Sequence, residues 1–78
     1  MTRADILQKL NIIHQQALGF KVSDIDENEK IQNLGINSLT MLYMILAMER
    51  EFKIKFNIEE IANLKTVKDL IDIIERLI

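Results

Sequence analysis

Apolar residues in this chain fall into four runs with helical spacing, separated by one long irregular stretch and one short alternating one. In the first run Ile6, Leu10, Ile13 and Ala17 recur at i, i+4, i+7 and i+11, flanked by Leu7 and Leu18, giving one apolar stripe on an otherwise polar helix. Thr2 with Asp5 is a capping pair at its start and Gly19 a stop, so the helix should end at about Leu18. The second run spans about Ser38 to Phe52, and its Leu42, Ile45, Met48 and Phe52 face is expected to enter the core. Leu39, Met41, Tyr43, Met44 and Leu46 then exceed what one buried stripe requires. Either this helix is buried on more than one side, or Leu39 and Leu46 form an exposed docking surface.

Asn57 with Glu60 opens a third, short run over Ile58, Ile61 and Ala62, and Thr66 with Asp69 opens the last. There Val67, Leu70, Ile71, Ile74 and Ile78 share a face, with Ile73 and Leu77 adjoining, while Lys68, Asp72, Glu75 and Arg76 stay wet. Between the first two helices, Phe20 to Asn37 carries little periodicity, yet Val22, Ile25, Ile31, Leu34 and Ile36 are spaced to anchor it on a core. Asp26 and Glu29 are placed to cap one short helical turn within it, and the acids Asp26 and Glu27 lack the further ligands a metal site needs. Phe52-Lys53-Ile54-Lys55-Phe56 alternates as a strand does, but nothing else in the chain offers a partner strand. An extended connector with its rings closing one end of the bundle is expected instead. The fold expected is all-α: a small four-helix bundle, three longer helices plus one short, with a long loop between the first and second, in a single domain over residues 1–78.

Bulk properties narrow the function classes. The 78 residues carry a formal charge of −2, and their ten Lys and Arg are scattered, which excludes a strong electrostatic case for nucleic acid. There is no cysteine, hence neither a disulfide frame nor a thiolate metal site, which fits a cytoplasmic location. The longest apolar run, Leu39 to Met48, is about half of what a spanning helix needs, and Met1 to Leu10 lacks the shape of a signal peptide. A monomer without a membrane partner is expected.

The candidate chemistry lies in Asn33-Leu34-Gly35-Ile36-Asn37-Ser38-Leu39. Asn37 is a good helix N-cap, Ser38 then stands in the first helical turn, and Gly35 allows a sharp turn just before the cap. A helix start favours an anion, so a phosphate ester on Ser38 would meet outward-pointing N–H groups. A serine in this position is also commonplace as a helix-start residue with no further duty. Hydrolase chemistry lacks its base, because the only histidine, His14, is in another helix and is expected to be a partly exposed structural residue; the G-x-S-x-G elbow is absent too.

Leu34-Gly35-Ile36-Asn37-Ser38-Leu39, with Glu49, Glu51 and Phe52 closing the next helix, resembles the signature of the acyl carrier and peptidyl carrier protein family, Leu-Gly-x-Asp-Ser-Leu, and the similarity runs from about residue 3 to residue 78. The resemblance implies a carrier that is not an enzyme, with 4′-phosphopantetheine on Ser38 holding acyl, aminoacyl or polyketide intermediates as thioesters. A phosphopantetheinyl transferase would dock on the second helix and supply the base and metal, and a loading enzyme and synthases or transferases would follow. Partner contacts are implied at Asn37, Leu39, Tyr43, Leu46 and Glu49. Here the chain departs from the fatty-acid branch: Asn37 replaces an aspartate, Thr40 and Tyr43 stand where acids are frequent, and Arg50 interrupts Glu49 and Glu51. So weak an acidic face suits a free-standing carrier dedicated to one polyketide, nonribosomal peptide or specialised acyl-transfer pathway. The alternatives are a housekeeping fatty-acid carrier and a cofactor-free helical adaptor.

Overall fold

Local capping sets where each helix begins. In the computed structural model, which describes all 78 residues, the helices are α1 (Arg3–Leu18), α2 (Ser38–Phe52), α3 (Ile58–Ala62) and α4 (Val67–Leu77). Thr2, Asn37 and Thr66 each accept from the backbone N–H three residues on, and Asp5, Thr40 and Asp69 reach back to the cap, so α1, α2 and α4 all start on reciprocal capping boxes. Gly19 ends α1 in the left-handed conformation at φ 80°. Lys53 ends α2 the same way at φ 56°, a backbone region that costs a residue with a side chain about 1 kcal/mol.

α1 packs on both α2 and α4. It runs antiparallel to α2, since Lys9 pairs with Glu51 at one end (2.6 Å) and Ala17 borders Leu39 and Leu42 at the other. Ile6, Leu10, Val67, Ile71 and Ile74 are wholly buried between the helices, each burial contributing about 1.5–3 kcal/mol. Phe52, Ile54 and Phe56 are buried while Lys53 and Lys55 face water, as an extended connector closing the bundle end requires. The long loop drops Ile25 and Leu34 into the core and packs Ile31 and Ile36 beside them. It is also tied by backbone to the start of α4: Ile31 N–H donates to Lys65 O, Val67 N–H to Glu29 O and Lys68 N–H to Glu27 O, at 2.8–2.9 Å. Arg3 joins the same elements through Glu27 and Glu75 at 2.5 Å and Asp72 at 2.7 Å. No helix is long and apolar enough to cross a membrane.

Several expectations shift in detail. The buried arc of α2 is centred on Met44, Met48 and Phe52, with Ile45 half-buried and Leu42 on the exposed side. Because α2 is apolar almost all round, periodicity could not fix its phase. Ile58 and Ile78 are exposed rather than on the inner faces of their helices, Ile58 being the first residue of a five-residue helix and Ile78 lying beyond the last turn of α4. Asn57 caps through the Glu59 N–H at 2.8 Å, and Glu60 turns away to Arg76. Asp26 caps a simple turn instead of a helical one, accepting from Asn28 N–H at 2.7 Å, and the one helical turn of the loop lies later, at Ile31–Asn33. Asp26 Oδ1 is thus taken by the turn, and Glu27 pairs with Arg3.

Candidate functional site

The site forms where the long loop turns into α2. Leu34 is buried, and Gly35 at φ 70° reverses the chain there; a Cβ at Gly35 would meet no atom within 4 Å, so glycine is needed for backbone freedom and not for space. Asn37 Oδ1 accepts from Thr40 N–H at 2.9 Å, Thr40 Oγ1 accepts from Asn37 N–H at 2.8 Å, and Met41 N–H donates to Asn37 O at 2.9 Å. This leaves the N–H groups of Ser38 and Leu39 without protein partners, beside an exposed Ser38 side chain. A phosphate on Ser38 Oγ fits: two open donors and the positive end of a fifteen-residue helix stand there, with no acid in the first turn. Thr40 completes the cap reciprocally, its hydroxyl taking the place that a glutamate or glutamine holds in the usual capping box, which is why the sequence pattern alone does not flag it.

His14 is buried, at 3% exposure, which corrects the expectation of a partly exposed side chain. Its Nε2 lies 2.8 Å from Leu34 O, and because a carbonyl only accepts, Nε2 carries the proton. No other hydrogen bond reaches that carbonyl, so α1 holds the loop one residue before Gly35. Nδ1 is buried with no partner. His14 thus faces the loop interior and is no base for Ser38.

Of the residues expected to meet partners, Leu39, Tyr43 and Leu46 come together on the outer side of α2, joined by Leu42, which periodicity places in the core. Asn37 lies at their edge with its side chain engaged in the cap. Glu49 does not present its carboxylate there: it accepts from Phe56 N–H at 2.9 Å, is 16% exposed and lies 3.8 Å from Lys55, fastening α2 to the connector. Inside, beneath α2, Met41, Met44 and Met48 help to line a wholly apolar hollow of only about 10 Å³. The shifted ionisations are remote from Ser38. Asp5 is lowered by the Thr2 backbone and hydroxyl, Asp72 is lowered by Arg3, and Arg3 is raised by Glu27 first and then Asp72 and Glu75.

The family model described as a phosphopantetheine attachment site matches residues 8–74. An acyl carrier protein of Coprothermobacter proteolyticus is 33% identical over 76 residues, which cover 96% of this chain and 93% of that one. A reducing polyketide synthase of Cochliobolus heterostrophus is 37% identical over 51 residues, 65% of this chain but 2% of the synthase. The crystal structure of an acyl carrier protein from Thermotoga maritima superposes with a TM-score of 0.82 at 30% identity, covering 95% of this chain and 87% of that one. Family model, full-length relative and fold agree, and the chain belongs to the acyl carrier protein family, whose cofactor is 4′-phosphopantetheine and whose members carry substrates for other enzymes without being enzymes themselves.

Proposed function

We propose that Ser38 is the residue that receives 4′-phosphopantetheine, and that the loaded carrier shuttles acyl, aminoacyl or polyketide intermediates between the enzymes of one dedicated pathway. The observation that supports the first part most strongly is the exposed hydroxyl at the start of α2 with two unpaired N–H groups beside it. Ser38 Oγ forms the new bond to phosphorus as the phosphoanhydride of coenzyme A breaks, adenosine 3′,5′-bisphosphate leaves, and the hydroxyl proton passes to a base on the transferase. That base has to come from outside, because His14 is turned to Leu34 O. When bound, the cofactor supplies the terminal thiol that this cysteine-free chain lacks. Ser38 and Leu39 N–H groups then orient the phosphodiester, and the α2 surface offers the contact by which successive enzymes dock and release.

Support for a dedicated pathway comes from the missing acids. Glu49 is tied to the connector and Glu51 to Lys9, so the outer side of α2 offers no unengaged carboxylate to a basic partner. The competing reading, a housekeeping fatty-acid carrier, is favoured by the full-length match to bacterial acyl carrier proteins. Mass spectrometry after incubation with coenzyme A and a broad-specificity transferase tests the attachment: one phosphopantetheine-sized gain, absent in Ser38→Ala with its helical spectrum unchanged. A wild-type protein that stays bare refutes the assignment, and the cofactor-free adaptor predicts full biological activity for Ser38→Ala. Efficient complementation of a lost fatty-acid carrier would refute the dedicated pathway and favour the housekeeping reading.

A further inference from the structure

We infer that the enzymes served by this carrier meet α2 with an apolar trough whose far end, away from Ser38, is bordered by carboxylates. The inference rests on the carrier reading above and names the partner chemistry that reading leaves open. An α-helix advances about 100° per residue, so Leu39, Tyr43, Leu46 and Arg50, at i, i+4, i+7 and i+11, share one line, with Leu42 alongside and Lys53 where α2 ends. Leu39, Leu42, Tyr43 and Leu46 are 75%, 52%, 47% and 54% exposed. Arg50 and Lys53 are exposed as well, and neither joins any of the ion pairs that engage the other cations of the helix ends. The two carboxylates of α2 are engaged elsewhere, Glu49 by Phe56 N–H and Lys55, and Glu51 by Lys9. What a partner meets is therefore four apolar side chains followed by two unpaired cations.

The distance between the two ends fixes what the cations do. Arg50 lies twelve residues after Ser38, about 18 Å along the axis, too far to bear on the attachment phosphate. They give the face a second point of recognition, and its complement is an acidic rim on the enzyme. A second copy of this chain fits poorly. Pairing two α2 faces antiparallel sets Arg50 and Lys53 against the positive helix start at Ser38, and pairing them parallel sets cation on cation. An anionic bilayer shares the right chemistry, but whatever covers this face must also reach the hydroxyl at its edge, and that favours an enzyme.

The test uses holo-carrier whose mass gain on Ser38 has first been confirmed. It is offered, with one acyl donor, to two purified acyltransferases chosen for the charge around their active-site mouths, one acidic and one basic. Wild type should load through the acidic-mouthed enzyme with kcat/KM higher by about ten-fold or more, an advantage that shrinks between about 0.05 and about 0.5 M salt. Arg50→Glu with Lys53→Glu should reverse the order, and Arg50→Gln with Lys53→Gln should abolish the preference; both pairs lie on the surface, and circular dichroism confirms their fold. Equal loading by the two enzymes, preference for the basic mouth, or indifference to the reversal overturns the inference while leaving Ser38 as the attachment residue. Failure to gain phosphopantetheine removes both proposals at once. Dimerisation in sedimentation, or cosedimentation with phosphatidylglycerol vesicles lost on the charge reversal, assigns the face to a different occupant and likewise overturns it.

Discussion

His14 offers the sharpest way to ask whether the loop before Ser38 is held by α1. The imidazole is buried and donates from Nε2 to Leu34 O at 2.8 Å, and nothing else bonds to that carbonyl. In His14→Ala the buried carbonyl loses its donor, at a cost of about 1–3 kcal/mol. The space left by the ring adds roughly 1–2 kcal/mol of lost packing. Against this, the change also removes Nδ1, which is buried without a partner and whose desolvation costs on the order of 1 kcal/mol. The net loss expected is about 1–4 kcal/mol, a substantial part of the roughly 4–12 kcal/mol that a domain of 78 residues commands.

His14→Phe separates the two causes, because a ring of similar size stays while the hydrogen bond goes together with the unpartnered Nδ1. It should cost up to about 2 kcal/mol, less than the alanine change. Urea unfolding followed by far-ultraviolet circular dichroism gives both values, with the m-value as a check that the unfolded state is unchanged. Amide exchange supplies the local readout: the N–H groups of Leu34 and Asn37, bonded to Ile31 O and Thr40 Oγ1, should exchange faster in His14→Phe, while the α4 interior should lose protection only by the global loss. A phenylalanine variant as stable as wild type, with unchanged exchange over those two residues, would refute the claim that this bond holds the loop.

Two further outcomes follow from the geometry. Gly35→Ala meets no neighbouring atom within 4 Å, so its cost is backbone strain alone at φ 70°, about 1–2 kcal/mol by the same urea titration, and Gly35→Asn should cost less; equal losses for the two would point to a hidden clash. Asp5 and Asp72 are both held below their ordinary value in the folded chain, Asp72 chiefly by Arg3, so their contribution is complete above about pH 5 and is lost as pH falls through the lowered folded values. Thermal midpoints should therefore drop below about pH 4, and Arg3→Gln should flatten that drop; a midpoint that rises on acidification would refute the linkage.

What the chain discloses before folding is largely what is encoded locally. Helix starts at Thr2 and Thr66 follow from side chains three residues apart and the start at Asn37 from the cap residue itself, and α1 and α4 are legible because one polar and one apolar face alternate cleanly. α2 resists the same treatment. With Leu39, Met41, Leu42, Tyr43, Met44, Ile45, Leu46 and Met48 nearly encircling it, only contact with α1 and the loop decides that Met44 and Met48 go in while Leu42 stays out. The links that lie far apart in the chain are equally invisible to spacing: His14 to Leu34, Glu49 to the Phe56 N–H, Arg3 to Glu27, Asp72 and Glu75, and the backbone tie between Ile31 and Lys65.

Those long-range links divide the molecule's work in a way that explains why Ser38 can be both exposed and well placed. Leu34 is fixed from beneath by His14, and Asn37 is fixed from the helix side by Thr40, so the chain is pinned on both flanks of Gly35 and Ile36. Neither pin uses the Ser38 hydroxyl or the N–H groups of Ser38 and Leu39, which stay open to a phosphate. The acids that might have crowded the same surface are occupied at the other end of α2, where Glu49 secures the connector and Glu51 meets Lys9. Polar groups that stabilise the fold are thus segregated from polar groups left for partners, and a substitution in one set is expected to leave the other set's readout unmoved.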